Sequence, residues 1–102
     1  MIVTADDFGY EAKRDDGILR CFTKGIVTRA SLLINGSSAK TTAIQLAREN
    51  DMPLGIHVNL TEGEPVQNGN RTLRDGDDRY FRGKFGFRQA LSRGEIDTSH
   101  VM

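Results

Sequence analysis

The chain has little cysteine, no net charge and no long apolar run, and each absence narrows what it can be. Cys21 is the single cysteine, which excludes an internal disulfide framework. Fourteen basic residues balance fourteen acidic ones, so charge gives no reason to expect a nucleic-acid or anionic-membrane partner. No apolar stretch approaches the roughly 20 residues that span a bilayer, and the N-terminus lacks the pattern of a signal peptide. We therefore expect a cytoplasmic protein.

The apolar segments predict one α/β domain over residues 1–102. Short, β-branched-rich runs that read as strands lie at residues 1–5, 26–34 and 53–60. Helical spacing fills the intervals between them, at about residues 11–24 and 38–50, the second with Ser37 or Ser38 as its N-cap. Strands and helices that alternate with short connections are typical of parallel β/α units, and strands covered on both faces read as nearly continuous apolar runs.

The chain changes character after Leu60. Residues 61–83 are polar, contain four glycines and show no sustained periodicity, which predicts a long loop with a short hairpin around Tyr80 and Phe81. A third helix is predicted at residues 84–92, ended by Gly94. We expect this helix to turn Phe85, Gln89 and Leu91 towards the core.

Polar residues follow two of the predicted strands. Asp6 and Asp7 come directly after the first, while His57 and Asn59 lie two apart in the last part of the third, on one face. The carboxyl ends of parallel strands gather functional groups, so these residues predict a metal or acid–base site. Each also has an ordinary interpretation: a helix cap for one aspartate, a hydrogen-bonded core position for His57, and a loop tether for Asn59.

Two neighbouring carboxylates can divide the work of hydrolysis. One can hold a divalent cation, while the other accepts a proton from the attacking water. Phosphate-receiver signalling domains use a similar acidic pair, but they need an Asp at the end of the third strand, where this chain reads LGIHVNL. No glycine-rich phosphate loop of the Walker or dinucleotide type is present either.

Five segments of the chain carry a family resemblance. They are TADDFG at residues 4–9, DDGI at 15–18, GIVTRASLLINGSSA at 25–39, LGIHVNLTEGEPV at 54–66 and KFGFRQALSRGEID at 84–97. Together they resemble the YdjC-like carbohydrate deacetylases, most closely the animal members, over roughly residues 1–97.

The resemblance implies a metal-dependent hydrolase on a (β/α) barrel that removes acetyl groups from N-acetylated sugars such as chitooligosaccharides. It assigns Asp7 and His57 as metal ligands and Asp6 as the general base, with an acetylated oligosaccharide as the binding partner. Mg²⁺ is the expected metal and Zn²⁺ the alternative. We add Asn59 as a substrate-binding candidate.

The sequence departs from the family in one respect. The third metal ligand of the family is a His in a downstream DGHQHVH-like motif, which this sequence does not contain, and His100 does not match its context. A complete barrel takes about 250 residues. We therefore expect an N-terminal portion of the enzyme with about three strands. The alternative is a catalytically inactive truncated form that acts as a binding or regulatory fragment and self-associates, as a homo-oligomer, through an exposed sheet edge.

Overall fold

A three-stranded parallel sheet forms the centre of the fold. The computed structural model describes residues 1–67, 69, 71–76 and 79–101. The strands β1 (Thr4–Phe8), β2 (Arg29–Leu33) and β3 (Leu54–His57) lie in the order β1-β2-β3. The helix α1 (Ala12–Thr23) connects the first two strands, and α2 (Ile44–Glu49) connects the second to the third. The predicted α/β fold with three parallel strands is confirmed.

The first strand begins and ends three residues later than predicted. The prediction was residues 1–5, but Met1 and Ile2 are exposed and β1 runs from Thr4 to Phe8. Pairing with β2 aligns Ala5 with Ala30 and Phe8 with Leu32, so β1 contains one more residue than β2 between these two pairs. The two aspartates therefore lie within the strand, in a β-bulge, rather than after its end.

Both predicted helices of this region form, with different ends. At the C-terminus of α1, Gly25 has a φ of +78° and donates to the Phe22 carbonyl, while Ile26 donates to the Cys21 carbonyl. This is a Schellman motif, and it confirms Gly25 as the helix stop. The second helix opens with a π-helical turn at Ala39–Ala43. Ser38 occupies the N-cap position, as predicted, but its side chain makes no capping hydrogen bond there.

The apolar core lies between the sheet and these two helices. Its buried members are Phe8, Ala30, Ala43, Ala47 and Met52, and the partly buried residues packed against them are Ala5, Ile18, Phe22, Leu32 and Leu54. Coverage is incomplete on β3, an outer strand of the described sheet, where Ile56 remains 72% exposed. The expectation that both faces of every strand are covered therefore fails at Ile56.

The chain divides into two compact units, Met1–Val58 and a second unit that starts at Asn59. The second contains short 3₁₀ helices at Arg71–Leu73 and Thr98–His100 and the helix α3 (Gly83–Ser92). None of the helices in the described ranges is both long and apolar enough to cross a bilayer. That the 102 residues form one domain stays a prediction.

The long loop of the second unit is closed by hydrogen bonds at its base. The Phe81 amide donates to the Gly63 carbonyl over 2.8 Å, and the Gly83 amide donates to the Thr61 carbonyl over 2.7 Å. Near the expected hairpin, Arg74 and Phe81 form one antiparallel bridge. Positions 68, 70, 77 and 78 of the predicted loop lie outside the described residues.

Helix α3 confirms the third predicted helix but turns a different face inward. Phe85 is 78% exposed and Leu91 is 55% exposed, whereas Ala90 is buried. Gln89 is exposed as well. Phe85 and Ala90 are five positions apart, which places them about 140° from each other around a helix. The small residue therefore defines the inner face, and the prediction that Phe85, Gln89 and Leu91 point to the core was wrong.

Candidate functional site

The bulge in β1 sends the two aspartates in different directions. The Asp6 Oδ1 atom accepts a hydrogen bond of 2.6 Å from the Ser31 hydroxyl on β2. Asp7 has a φ of +67°, which an L-residue other than glycine rarely adopts. Bulges and residues in this backbone region commonly re-aim side chains at functional sites. The predicted division of labour between the two carboxylates is therefore possible in this backbone.

Asp7 lies beside His57 at the carboxyl end of the sheet. The Asp7 Oδ1 and His57 Nδ1 atoms are 3.0 Å apart, although β2 separates the strands that carry them. The side chains keep 40% and 35% of their surface exposed, so solvent reaches the pair. The structure thus brings together the two residues assigned as metal ligands.

The His57 Nδ1 atom is a buried nitrogen that has no hydrogen-bond partner among the described residues. Asp7 is near enough for an ion pair, but the contact lacks the geometry of a hydrogen bond. A divalent cation with bonds of about 2.0–2.2 Å can contact both atoms, since an imidazole nitrogen and a carboxylate oxygen are ordinary ligands of Zn²⁺. The pair therefore fits part of a metal site. No group of three potential His, Cys, Asp or Glu ligands occurs within the described ranges.

Arg14 on α1 approaches the same carboxylate from the other side. Its Nη1 atom lies 3.4 Å from the Asp7 Oδ2 atom, and its guanidinium lies 4.3 Å from the centroid of the Tyr10 ring. Arg14 is 44% exposed, so the ion pair contributes little to stability. The positive charge nevertheless offsets the charge that two adjacent aspartates place at this edge.

Close backbone packing supports the loop that follows Asp7. Gly36 approaches Gly9 so nearly that a Cβ atom on Gly36 would stand 2.0 Å from the Gly9 carbonyl oxygen. The Ser38 amide donates to that oxygen over 3.1 Å, and the Ser37 amide donates to the Tyr10 carbonyl over 3.2 Å. The segment after β1 is thus attached to the segment after β2.

Asn59 and His100 belong to the second unit. The Asn59 Oδ1 atom accepts hydrogen bonds from the amides of Thr61 (3.2 Å) and Glu62 (3.0 Å), as expected of a loop tether. Its role in substrate binding stays a prediction. The His100 Nδ1 atom lies 2.8 Å from the Thr72 hydroxyl oxygen, which gives His100 a structural contact within its own unit.

Sequence reasoning found Asp6, Asp7 and His57 but missed Ser31 and Arg14. The contact between Ser31 and Asp6 joins residues 25 positions apart, and it depends on the register of β1 against β2. A serine inside the apolar RASLL run was the available signal, because strands of this kind rarely place a hydroxyl without a partner. Arg14 carried no comparable signal.

Comparison with known proteins agrees with this architecture. A crystal structure of an Enterococcus faecalis protein, described as a cellobiose-phosphate cleavage protein, superposes with a TM-score of 0.80 at 24% sequence identity. The match covers 98% of this chain and 38% of the other. At that level of identity it supports the fold alone.

Sequence relatives include proteins named carbohydrate deacetylase. The human one is 45% identical over 99% of this chain, the mouse one is 46% identical, and one from Listeria monocytogenes is 36% identical. This chain spans 32%, 33% and 40% of their respective lengths, so it covers about a third of the length of each animal protein. The family model described as YdjC-like protein matches residues 1–101. Since the match extends over almost every residue, the chain belongs to the YdjC-like protein family.

Proposed function

We propose that this chain carries part of the catalytic site of a metal-dependent carbohydrate deacetylase. The substrate would be an N-acetylated oligosaccharide of the chitooligosaccharide type, and the products would be acetate and a free amine on the sugar. The observation that carries the proposal is the contact between Asp7 and His57, where a carboxylate faces a buried imidazole nitrogen without a hydrogen-bond partner among the described residues. The relatives named carbohydrate deacetylase supply the reaction class.

Asp7 and His57 would hold the cation in this proposal. One oxygen and one nitrogen ligand suit Zn²⁺. If the cation is Mg²⁺ instead, oxygen ligands such as water would fill its remaining coordination positions. When bound, the cation supplies a positive charge that polarises the acetyl carbonyl and makes water more acidic. The exposed fractions of both side chains leave room for a substrate to approach.

Asp6 would act as the general base. Hydrolysis forms a bond between the water oxygen and the acetyl carbon and breaks the bond from that carbon to nitrogen. The proton that leaves the water would pass to Asp6, and the departing amine would gain a proton that the protonated Asp6 can return. The Asp6 Oδ1 atom is held by Ser31, and its Oδ2 atom, for which the described ranges show no hydrogen bond, is the acceptor for the water proton. The hydrogen bond from Ser31 orients the carboxylate.

The test is acetate release from N-acetylchitooligosaccharides, measured with added Mg²⁺ or Zn²⁺. We expect Asp6→Asn to lower the rate by about 10²–10⁴-fold, the usual contribution of a general base. Asp7→Asn should raise the metal concentration needed for half-maximal rate. Asp16→Asn is the matched control, because this exposed aspartate pairs only with Arg20 one helical turn away among the described residues.

Two results would contradict the proposal. Equal activity in the wild type and Asp6→Asn, above the rate without protein, would remove Asp6 from the mechanism. Metal binding that is unchanged in both Asp7→Asn and His57→Gln would place the cation elsewhere.

A second candidate function is sugar binding without hydrolysis. It is favoured by the number of ligands, because the described residues contain no group of three His, Cys, Asp or Glu side chains that could hold a metal ion. Sugar binding by calorimetry, without acetate release under any metal tested, would favour this role over catalysis.

A further inference from the structure

Asp15 is a fully buried carboxylate that the proposed reaction does not use. It is the fourth residue of α1, with none of its surface exposed. Burying a carboxylate is costly unless hydrogen bonds replace its hydration. An acidic residue in this position therefore needs partners, and those partners show what it does.

Both oxygens of Asp15 accept hydrogen bonds from loops of the site. Oδ1 accepts from the Gly9 amide over 2.7 Å, and Oδ2 accepts from the Ser38 hydroxyl over 2.5 Å. Ser38 in turn donates its amide to the Gly9 carbonyl over 3.1 Å. The three residues form a closed ring, called here the Asp15 clamp, that joins the end of β1, helix α1 and the loop after β2.

The clamp holds the backbone two residues beyond Asp7. Gly9 has a φ of +92° and Asp7 a φ of +67°, so two of three consecutive residues occupy the left-handed region. Steric repulsion disfavours positive φ at Asp7, since L-residues other than glycine favour negative φ, so contacts with its surroundings must hold it in the left-handed region. The Tyr10 amide also donates to the Asp7 carbonyl over 3.2 Å, and Gly9 lies between these two residues. A clamp that fixes Gly9 would therefore help to keep Asp7 in this region, with its carboxylate towards His57.

We infer that Asp15 is a positioning residue, which fixes the backbone of Asp7 through Gly9 and so holds the Asp7 carboxylate against the His57 imidazole. The inference rests on the proposed function for its link to metal binding. It concerns the geometry of the pair, which is measurable with no metal present. A residue that only stabilised the fold would leave this geometry intact in every variant that still folds.

The experiment compares the full chain with Asp15→Ala, Asp15→Asn, Ser38→Ala and Met52→Ala. Asp15→Asn keeps an acceptor for the Gly9 amide, while Ser38→Ala removes only one of the two hydrogen bonds. Met52 is a buried core residue of the same unit and supplies none of the hydrogen bonds of the clamp, so Met52→Ala controls for loss of stability. All samples are kept well below their unfolding temperatures, and any variant that does not fold is judged through Ser38→Ala.

The first readout is the three-bond coupling between the amide and α protons of Asp7, which reports φ without metal. We expect extended-type values in Asp15→Ala, an intermediate value in Ser38→Ala, and wild-type values in Asp15→Asn and Met52→Ala. Wild-type coupling in both Asp15→Ala and Ser38→Ala would overturn the inference.

The second readout is Co²⁺ affinity by calorimetry, with Co²⁺ as a probe for the divalent site. Loss of a residue that orients a metal ligand typically weakens binding by about 10–100-fold, and we expect a change of that size in Asp15→Ala. Affinity in Asp15→Asn should stay within about threefold of wild type. If wild type binds no Co²⁺, the metal site of the proposed function fails, and the coupling alone decides the inference about Asp15.

Discussion

Replacing Gly36 with alanine tests the close contact between the two loops that support the site. The added Cβ atom would stand 2.0 Å from the Gly9 carbonyl oxygen and 3.0 Å from the Tyr10 Cα atom. Both neighbours are backbone atoms, which cannot move aside as a flexible side chain does. The loops must therefore separate, and the hydrogen bonds between them lengthen or break.

The size of the effect follows from those bonds. Three hydrogen bonds join the loops. The Ser38 amide donates to the Gly9 carbonyl over 3.1 Å, and the Tyr10 carbonyl accepts from the Ser37 amide over 3.2 Å and from the Ser37 hydroxyl over 2.6 Å. Each hydrogen bond contributes a net of about 0.5–1.5 kcal/mol, so losing all three costs about 1.5–4.5 kcal/mol. For a chain of this size, such a loss lowers the midpoint of thermal unfolding by roughly 6–36 °C.

Gly17→Ala is the matched control for this measurement. Gly17 lies inside α1, and a Cβ atom there meets nothing within 4 Å. The same chemical change should therefore raise the free energy of unfolding by about 0.5–1 kcal/mol, because alanine favours the helix. Urea unfolding followed by circular dichroism measures both variants. If Gly36→Ala is as stable as the wild type, the loops are not in the contact that supports Asp7, and the reasoning from close packing is refuted.

Two further predictions concern the core and the second unit. Phe8→Ala should lower the free energy of unfolding by about 3–5 kcal/mol, because Phe8 is completely buried. Phe85→Ala, at a 78% exposed position, should change it by less than about 0.5 kcal/mol. Urea unfolding compares the two variants, and equal losses would contradict the assignment of Phe8 to the core. The hydrogen bond from the Ser99 side chain lowers the pKa of Asp97 below 3.8, so Ser99→Ala should raise that pKa towards 3.8 in a carboxyl ¹³C NMR titration, and identical midpoints would count against the contact. Because the native pKa is lowered, this contact stabilises the fold above about pH 4, and its contribution is lost as the pH falls through the native pKa.

The type and order of the elements in the first unit were predictable from sequence, because they depend on local pattern. Apolar runs separated by helical spacing predicted three parallel strands, and Gly25 ended α1 as expected. The limits of β1 were not predictable, since hydrogen bonds to β2 extend the strand across two charged residues that pattern alone assigns to a loop. The position of α3 was predictable, but its buried face was not, because a short helix with three bulky apolar residues does not show which face is buried.

The candidate site divides in the same way between what residue type shows and what long-range packing decides. Asp6, Asp7 and His57 were found because carboxylates and imidazole at strand ends are chemically unusual, whatever their exact geometry. Asp15 lies in the DDGI segment, but the sequence did not predict a role for it, because its hydrogen bonds are to Gly9 and to Ser38, which is 23 positions away. A buried carboxylate whose two oxygens both bind site loops is understandable only once the loops are placed. The adjacent aspartates at the start of the chain thus share their edge with a third, buried one. Asp7 carries the donor atom, and the proposed clamp at Asp15 would determine where that atom points.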